Sequence, residues 1–231
     1  MIPRRGDDHG WGSLTSPEAG LGARVLLVPL GATEQHGPHL PLDTDTRIAT
    51  ALVDALAAAR PDVVGAPPVA YGASGEHAGF PGTLSIGTEA LTAVLVELGR
   101  SADAFAGVVF VNGHGGNLEA VRRASALLVD EGRRVLAWAP SVPDGDAHAG
   151  RTETSLLLAL DPGCVRLDRA EPGATAPLAE LIGDLRSGGV AAVAPNGVLG
   201  DPTGASADEG AALLAAITAD LLAAVDRAFP R

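Results

Sequence analysis

Apolar residues along this chain fall into two alternating patterns. RVLLVPL (24–30) and GVVFVN (107–112) are short, continuous apolar runs, and they read as parallel strands buried on both faces. Between them apolar positions recur three and four residues apart. In DTRIATALVDALAAAR (45–60) these are Ile48, Leu52, Val53 and Leu56, which predicts a helix. TEALTAVLVELGRSADAF (88–105) and LEAVRRASALLVDEG (118–132) predict two more, the second ended by Gly132. DVVGAPPVAY (62–71) reads as a strand interrupted by proline, and RRVLAWAP (133–140) as a strand stopped by one.

Beyond residue 150 the pattern loosens. TETSLLLAL (152–160) predicts a short helix, residues 161–189 are turn-rich with a modest helical patch, and GVAAVAPNGVLGDPTG (189–204) reads as strand and turn. Ser206 and Glu209 form an S-x-x-E capping box ahead of the last helix, AALLAAITADLLAAVDRAF. The βαβαβαβ alternation implies an α/β fold: a mainly parallel sheet covered by helices on both faces, in one domain spanning 1–231. Ligands of such sheets bind beyond the carboxyl ends of the strands.

Those ends carry the candidate chemistry. GATEQHGPHLPLDTDT (31–46), after the first strand, holds Glu34, His36, His39, Asp43 and Asp45. The turn NGHGGN after 107–112 holds His114, and the segment after 133–140 holds His148 and leads to Glu153. Glu34 and His36, two apart, share a face of an extended segment, and Asp45 at the next helix start can fold back toward them. Glycines around His114 permit close backbone approach. Zinc, iron and manganese accept imidazole beside carboxylate. Glu34, Asp45 and Glu153 with His36 and His114 suffice for two divalent ions, roughly 3.5–4 Å apart, that activate a water and polarise a carbonyl. Amide hydrolysis is the natural reaction. Singly, each residue also has a plain reading as a polar loop, turn or helix-start residue.

Charge and composition narrow the class. A net charge of −12 argues against nucleic-acid or anionic-membrane surfaces, which need clustered positive charge. No apolar run is long enough to span a membrane, and the first residues do not resemble a signal peptide. The single cysteine, Cys164, is expected to be a small buried residue, and a reducing cytoplasm is the natural compartment. A non-catalytic nucleotide-binding module is the contrasting reading. No G-x-G-x-x-G follows the first strand, and 112–117 offers no Walker lysine.

These blocks, with FPGTLS (80–85), HAGRTETS (148–155) and GVLGDPTGAS (197–206), resemble the creatininase family of metal-dependent amidohydrolases. The resemblance implies a Rossmann-like α/β/α fold, a two-metal site and a homo-oligomer, often a hexamer. Glu34 and His36 would serve different ions, Asp45 would bridge, and His114 would join the Glu34 ion. Within the family the chain is most similar to a branch of cofactor biosynthesis that cleaves a modified ribosomal precursor peptide. Iron(II) and zinc are the metals it implies, with manganese a further candidate. A creatininase-like hydrolase of a small cyclic amide or formamide is the alternative. Creatininase proper carries a glutamate two residues after the motif histidine, where this chain has Gly116; Glu153 is expected to supply that carboxylate. His148 would shuttle a proton or orient the leaving group. Asp43 is expected near the site or capping the loop, His39 in the loop, Glu76 and His77 on a substrate-side loop that can reach a neighbouring subunit, and Trp138 as a packed aromatic. His9 is assigned no role.

Overall fold

The computed structural model describes residues 11–16 and 24–231, so His9 lies outside the described residues. Strands β1 (Val25–Leu30), β2 (Val63–Gly65), β3 (Gly107–Asn112) and β4 (Val135–Trp138) form one parallel sheet in the order β2-β1-β3-β4. Side chains alternate across it. Val25, Leu27, Val109 and Val111 join one apolar core, and Leu26, Val28, Leu30, Val108 and Phe110 join the other. The first core is closed by α1 (Thr44–Ala59), α4 (Arg151–Leu160) and α6 (Ala207–Ala228), the second by α2 (Gly87–Ser101) and α3 (Leu118–Asp130). Each fully buried leucine, such as Leu27, Leu52 or Leu91, contributes roughly 1.5–3 kcal/mol by leaving water. Helices on both faces explain why β1 and β3 are buried along their whole length.

The order places the site. From β1 the chain passes to β2 on one side, then crosses back to β3 on the other. The connections leaving β1 and β3 therefore diverge, and a crevice opens beyond their carboxyl ends.

Several expectations are corrected. Only Val63–Gly65 of 62–71 pairs as a strand, because Pro67 and Pro68 follow and offer no N–H. Val69 adds an isolated bridge to Leu30. The helical patch in 161–189 is a full helix, α5 (Leu178–Val193), and the strand expected from 189 is the end of that helix, bent where Gly189 takes φ 70. Val190 is buried on a small core with Ala194 and Leu199, so packing rather than β-propensity decides the conformation. At α6, Ser206 Oγ accepts from Glu209 N–H at 3.2 Å. The return half of the capping box is replaced: the Glu209 carboxylate takes Arg151 Nε and Ser155 Oγ. Cys164 is only half-buried, its Sγ donating to Asp161 O.

Candidate metal centre

The backbone beyond β1 and β3 is fixed by asparagine amides. Asn117 Oδ1 accepts from Ala73 N–H at 2.9 Å, and its Nδ2 donates to Gly31 O at 3.0 Å and to Asn112 Oδ1 at 3.2 Å. Asn112 Nδ2 donates to His114 O at 2.8 Å. The asparagines of NGHGGN thus tie the β1 exit, the 72–73 segment and the β3 exit together, and His114 is held between them.

Asp45, at the start of α1, reaches two histidines with its two oxygens. Oδ1 is 3.0 Å from His36 Nε2, and Oδ2 is 3.4 Å from His114 Nδ1. On the His114 side, Glu34 Oε2 is 3.1 Å from His114 Nε2. On the His36 side, Glu153 Oε2 is 3.9 Å from His36 Nε2 and accepts from Ala149 N–H at 2.6 Å. Ligand atoms of Glu34, Asp45 and His114 lie within 4.8 Å of one another, as do those of His36, His148 and Glu153, and of Glu34, His77 and His148.

Both Glu34 oxygens and Asp45 Oδ2 are buried without a hydrogen-bond donor in good geometry. A buried acceptor left so costs roughly 1–3 kcal/mol. A cation among these carboxylates relieves that penalty, and the mixed oxygen and imidazole donors suit zinc, manganese or iron. The donor set fits divalent cations of this kind.

The electrostatics agree. Burial disfavours the charged form of His36, but the Asp45 carboxylate outweighs it and raises His36 to about 10. Burial opposes His114 likewise, and Glu34 raises it to about 9. Burial works against the Glu34 anion too, yet His114, His77 and His36 hold it well below the usual carboxylate range. Glu153 is pushed up to about 7, chiefly by burial. His77 falls to about 4 through burial, and His148 falls well below its ordinary value through burial and its neighbours His36 and His77.

Other positions sort themselves by contact. Glu76 and His77, placed by sequence on a substrate-side loop, lie at this chain's own centre: His77 Nε2 is 3.3 Å from Glu34 Oε1, and Glu76 Oε1 is 3.5 Å from His114 Nε2. Gln35, between Glu34 and His36, is buried too, and that place in the sequence is the signal for it. Asp43 turns outward to pair with Arg47 at 2.7 Å. His39 is buried and anchors the loop to α4 through Thr154 Oγ1 at 2.9 Å. Trp138 is packed, its Nε1 donating to Asp220 Oδ2 at 2.9 Å. A cavity of about 170 Å³ adjoins Glu153, with Ile48, Val142, Leu156 and Ile217 among its walls.

Comparison with known proteins bears on this geometry. The family model for creatininase, creatinine amidohydrolase, matches residues 13–225. The mycofactocin precursor peptide peptidase of Mycolicibacterium smegmatis is 59% identical over 213 residues, 89% of this chain and 86% of that protein. The structure titled "Creatininase Mn" superposes with a TM-score of 0.79 at 28% identity, covering 96% of this chain and 98% of that one. A mutant creatininase described as Zn-Zn type gives 0.79 at 27%, covering 98% and 100%. Matched by the family model over most of its length and sharing that fold, the chain belongs to the creatininase family.

Proposed function

We propose that this chain is a two-metal peptidase that hydrolyses a C–N bond near the C-terminus of a modified ribosomal precursor peptide, releasing a cross-linked Val-Tyr-derived pyrrolidinone. The observation that carries the reading is Asp45, whose two oxygens face His36 and His114 while Glu34 and Glu153 flank them on either side. The substrate class is supported by relatives named for mycofactocin precursor peptide peptidase activity at 53–59% identity.

Glu34 and His114 would hold one divalent ion, His36 and Glu153 the other, with Asp45 between; iron(II), zinc and manganese all suit these donors. Such a pair of ions supplies an activated water and polarises the scissile carbonyl. His148, kept neutral by burial, offers a ring nitrogen that accepts a proton and returns it to the leaving amine. The cavity beside Glu153, walled by Ile48, Val142, Leu156 and Ile217 and by the polar Asp146 and Thr152, offers a place for a substrate side chain.

The test incubates zinc- or manganese-loaded protein with the modified precursor peptide and, separately, with creatinine. Release of the C-terminal fragment, read by mass spectrometry, is expected. Turnover of creatinine with the peptide left intact would reject the peptidase reading in favour of a small cyclic amide.

A further inference from the structure

The amide of Gln35 is enclosed by polar atoms. Oε1 accepts from Gly37 N–H at 2.8 Å. Nε2 stands 3.0 Å from Gly197 O, 2.9 Å from His77 Nδ1 and 3.0 Å from His148 Nε2. Its orientation follows from these partners: turned over, the amide would set its oxygen against the Gly197 carbonyl and its NH2 against the Gly37 N–H. Gly197, at φ 81, leaves the necessary room, since a Cβ there would overlap the Gln35 amide.

Counting hydrogens then assigns both histidines. An NH2 group has two hydrogens to give. Gly197 O can only accept, so it takes one. His148 Nε2 also lies 2.9 Å from the backbone carbonyl of Gln35, another group that can only accept. A ring lone pair aimed at that oxygen would be repelled, so His148 Nε2 carries a hydrogen and donates it to Gln35 O. It cannot then accept from the amide, and the second amide hydrogen goes to His77 Nδ1. His77 therefore carries its own hydrogen on Nε2, which faces Glu34 Oε1 at 3.3 Å. With its hydrogen on Nε2 and the same Glu34 oxygen 3.7 Å from Nδ1, beyond hydrogen-bond reach, the neutral His148 ring leaves Nδ1 unprotonated.

We infer that Gln35 is a positioning residue that locks His77 and His148 as Nε2–H tautomers, the first through its side-chain amide and the second through its backbone carbonyl. The same tautomer serves two ends. In His77 the N–H lies on the side of Glu34, its Nε2 3.3 Å from Oε1. In His148 the N–H points away, so the lone pair of Nδ1 is presented to the centre. The use of that lone pair in proton transfer rests on the hydrolytic reading above; the tautomers do not.

The test uses zinc-loaded full-length protein labelled with 15N-histidine, whose nitrogen shifts separate protonated from bare ring nitrogens. His77→Gln and His148→Gln identify the signals. Both residues are expected to show protonated Nε2 and bare Nδ1 in the wild-type chain. Gln35→Glu replaces the donor to His77 with an acceptor. His77 is then expected to move its hydrogen to Nδ1 while His148 keeps its own. Zinc content stays constant, kcat on the precursor peptide falls about tenfold or more, and KM changes by less than about threefold. Should that variant fold poorly, Gln35→Met removes the donor without adding charge, and His77 is expected to become a mixture of tautomers. Hydrogen on Nδ1 of either histidine in the wild-type chain overturns the inference, and so does a Gln35→Glu protein with unchanged tautomers and kcat within about twofold. Because the spectra are recorded without substrate, a wild-type chain that leaves the peptide uncut would count against the proposed function and not against the tautomers.

Discussion

Glu76 Oε1, with the Ala73 carbonyl and His114 Nε2, occupies the space in which a side chain at Gly116 would begin, and the same Glu76 oxygen lies 3.5 Å from His114 Nε2. A carboxylate thus reaches the His114 side from the 75–77 turn, while Glu153 approaches His36 from α4. Gly116→Glu is therefore expected to overpack. It should destabilise the chain by about 1–3 kcal/mol in denaturant unfolding. A Gly116→Glu protein as stable as the wild type would show that the space is free.

His36 and His114, raised to about 10 and about 9, act in the metal-free protein as protonated partners of Asp45 and Glu34. Their folded-state values lie above the ordinary 6.5, so their contribution to stability is complete below that pH and disappears as pH rises through 9 to 10. Metal-free protein should lose stability over that window. Metal-loaded protein should lack that slope, because the ions hold both rings deprotonated. Thermal unfolding against pH, with and without chelator, distinguishes the two; parallel curves would contradict the assignment of these histidines.

Chelation should lower the thermal midpoint. A site with free metal at a hundredfold its Kd contributes about 2.7 kcal/mol. At about 2–4 °C per kcal/mol for a chain of this size, each site is expected to move the midpoint by about 5–10 °C. Calorimetry in excess chelator, followed by readdition of zinc or manganese, measures it, and an unmoved midpoint counts against ions bound in the buried centre.

The strands and helices that carry the centre were legible because their burial is uniform: β1 and β3 are buried throughout, and α1 and α3 keep a helical stripe. Divergence of the β1 and β3 connections follows from the same alternation, so the meeting of Glu34, His36, Asp45 and His114 could be anticipated. What escaped depended on tertiary contacts. The 189–193 segment is rich in valine and alanine and reads locally as a strand, yet it ends α5 because Val190 packs against Ala194 and Leu199. His77 follows a loop with no periodicity, and only the folded chain carries it to Glu34. Gln35 looks like a spacer until its amide is seen between two histidines. Asp43 and Asp45 lie two residues apart, and the helix start turns one outward to Arg47 and the other inward to His36.

The central claim is that hydrolysis depends on two ions divided by Asp45. Its most direct measurement loads metal-stripped protein stepwise with zinc, counts bound ions per chain by elemental analysis, and follows cleavage of the modified precursor peptide at each step. The account predicts two ions per wild-type chain and activity that rises with the second equivalent. It also predicts an Asp45→Asn chain that folds, binds one ion or fewer, and loses activity by roughly a hundredfold or more. Full cleavage by protein holding less than about one-tenth of an ion per chain, or by the metal-free Asp45→Asn variant, would contradict it.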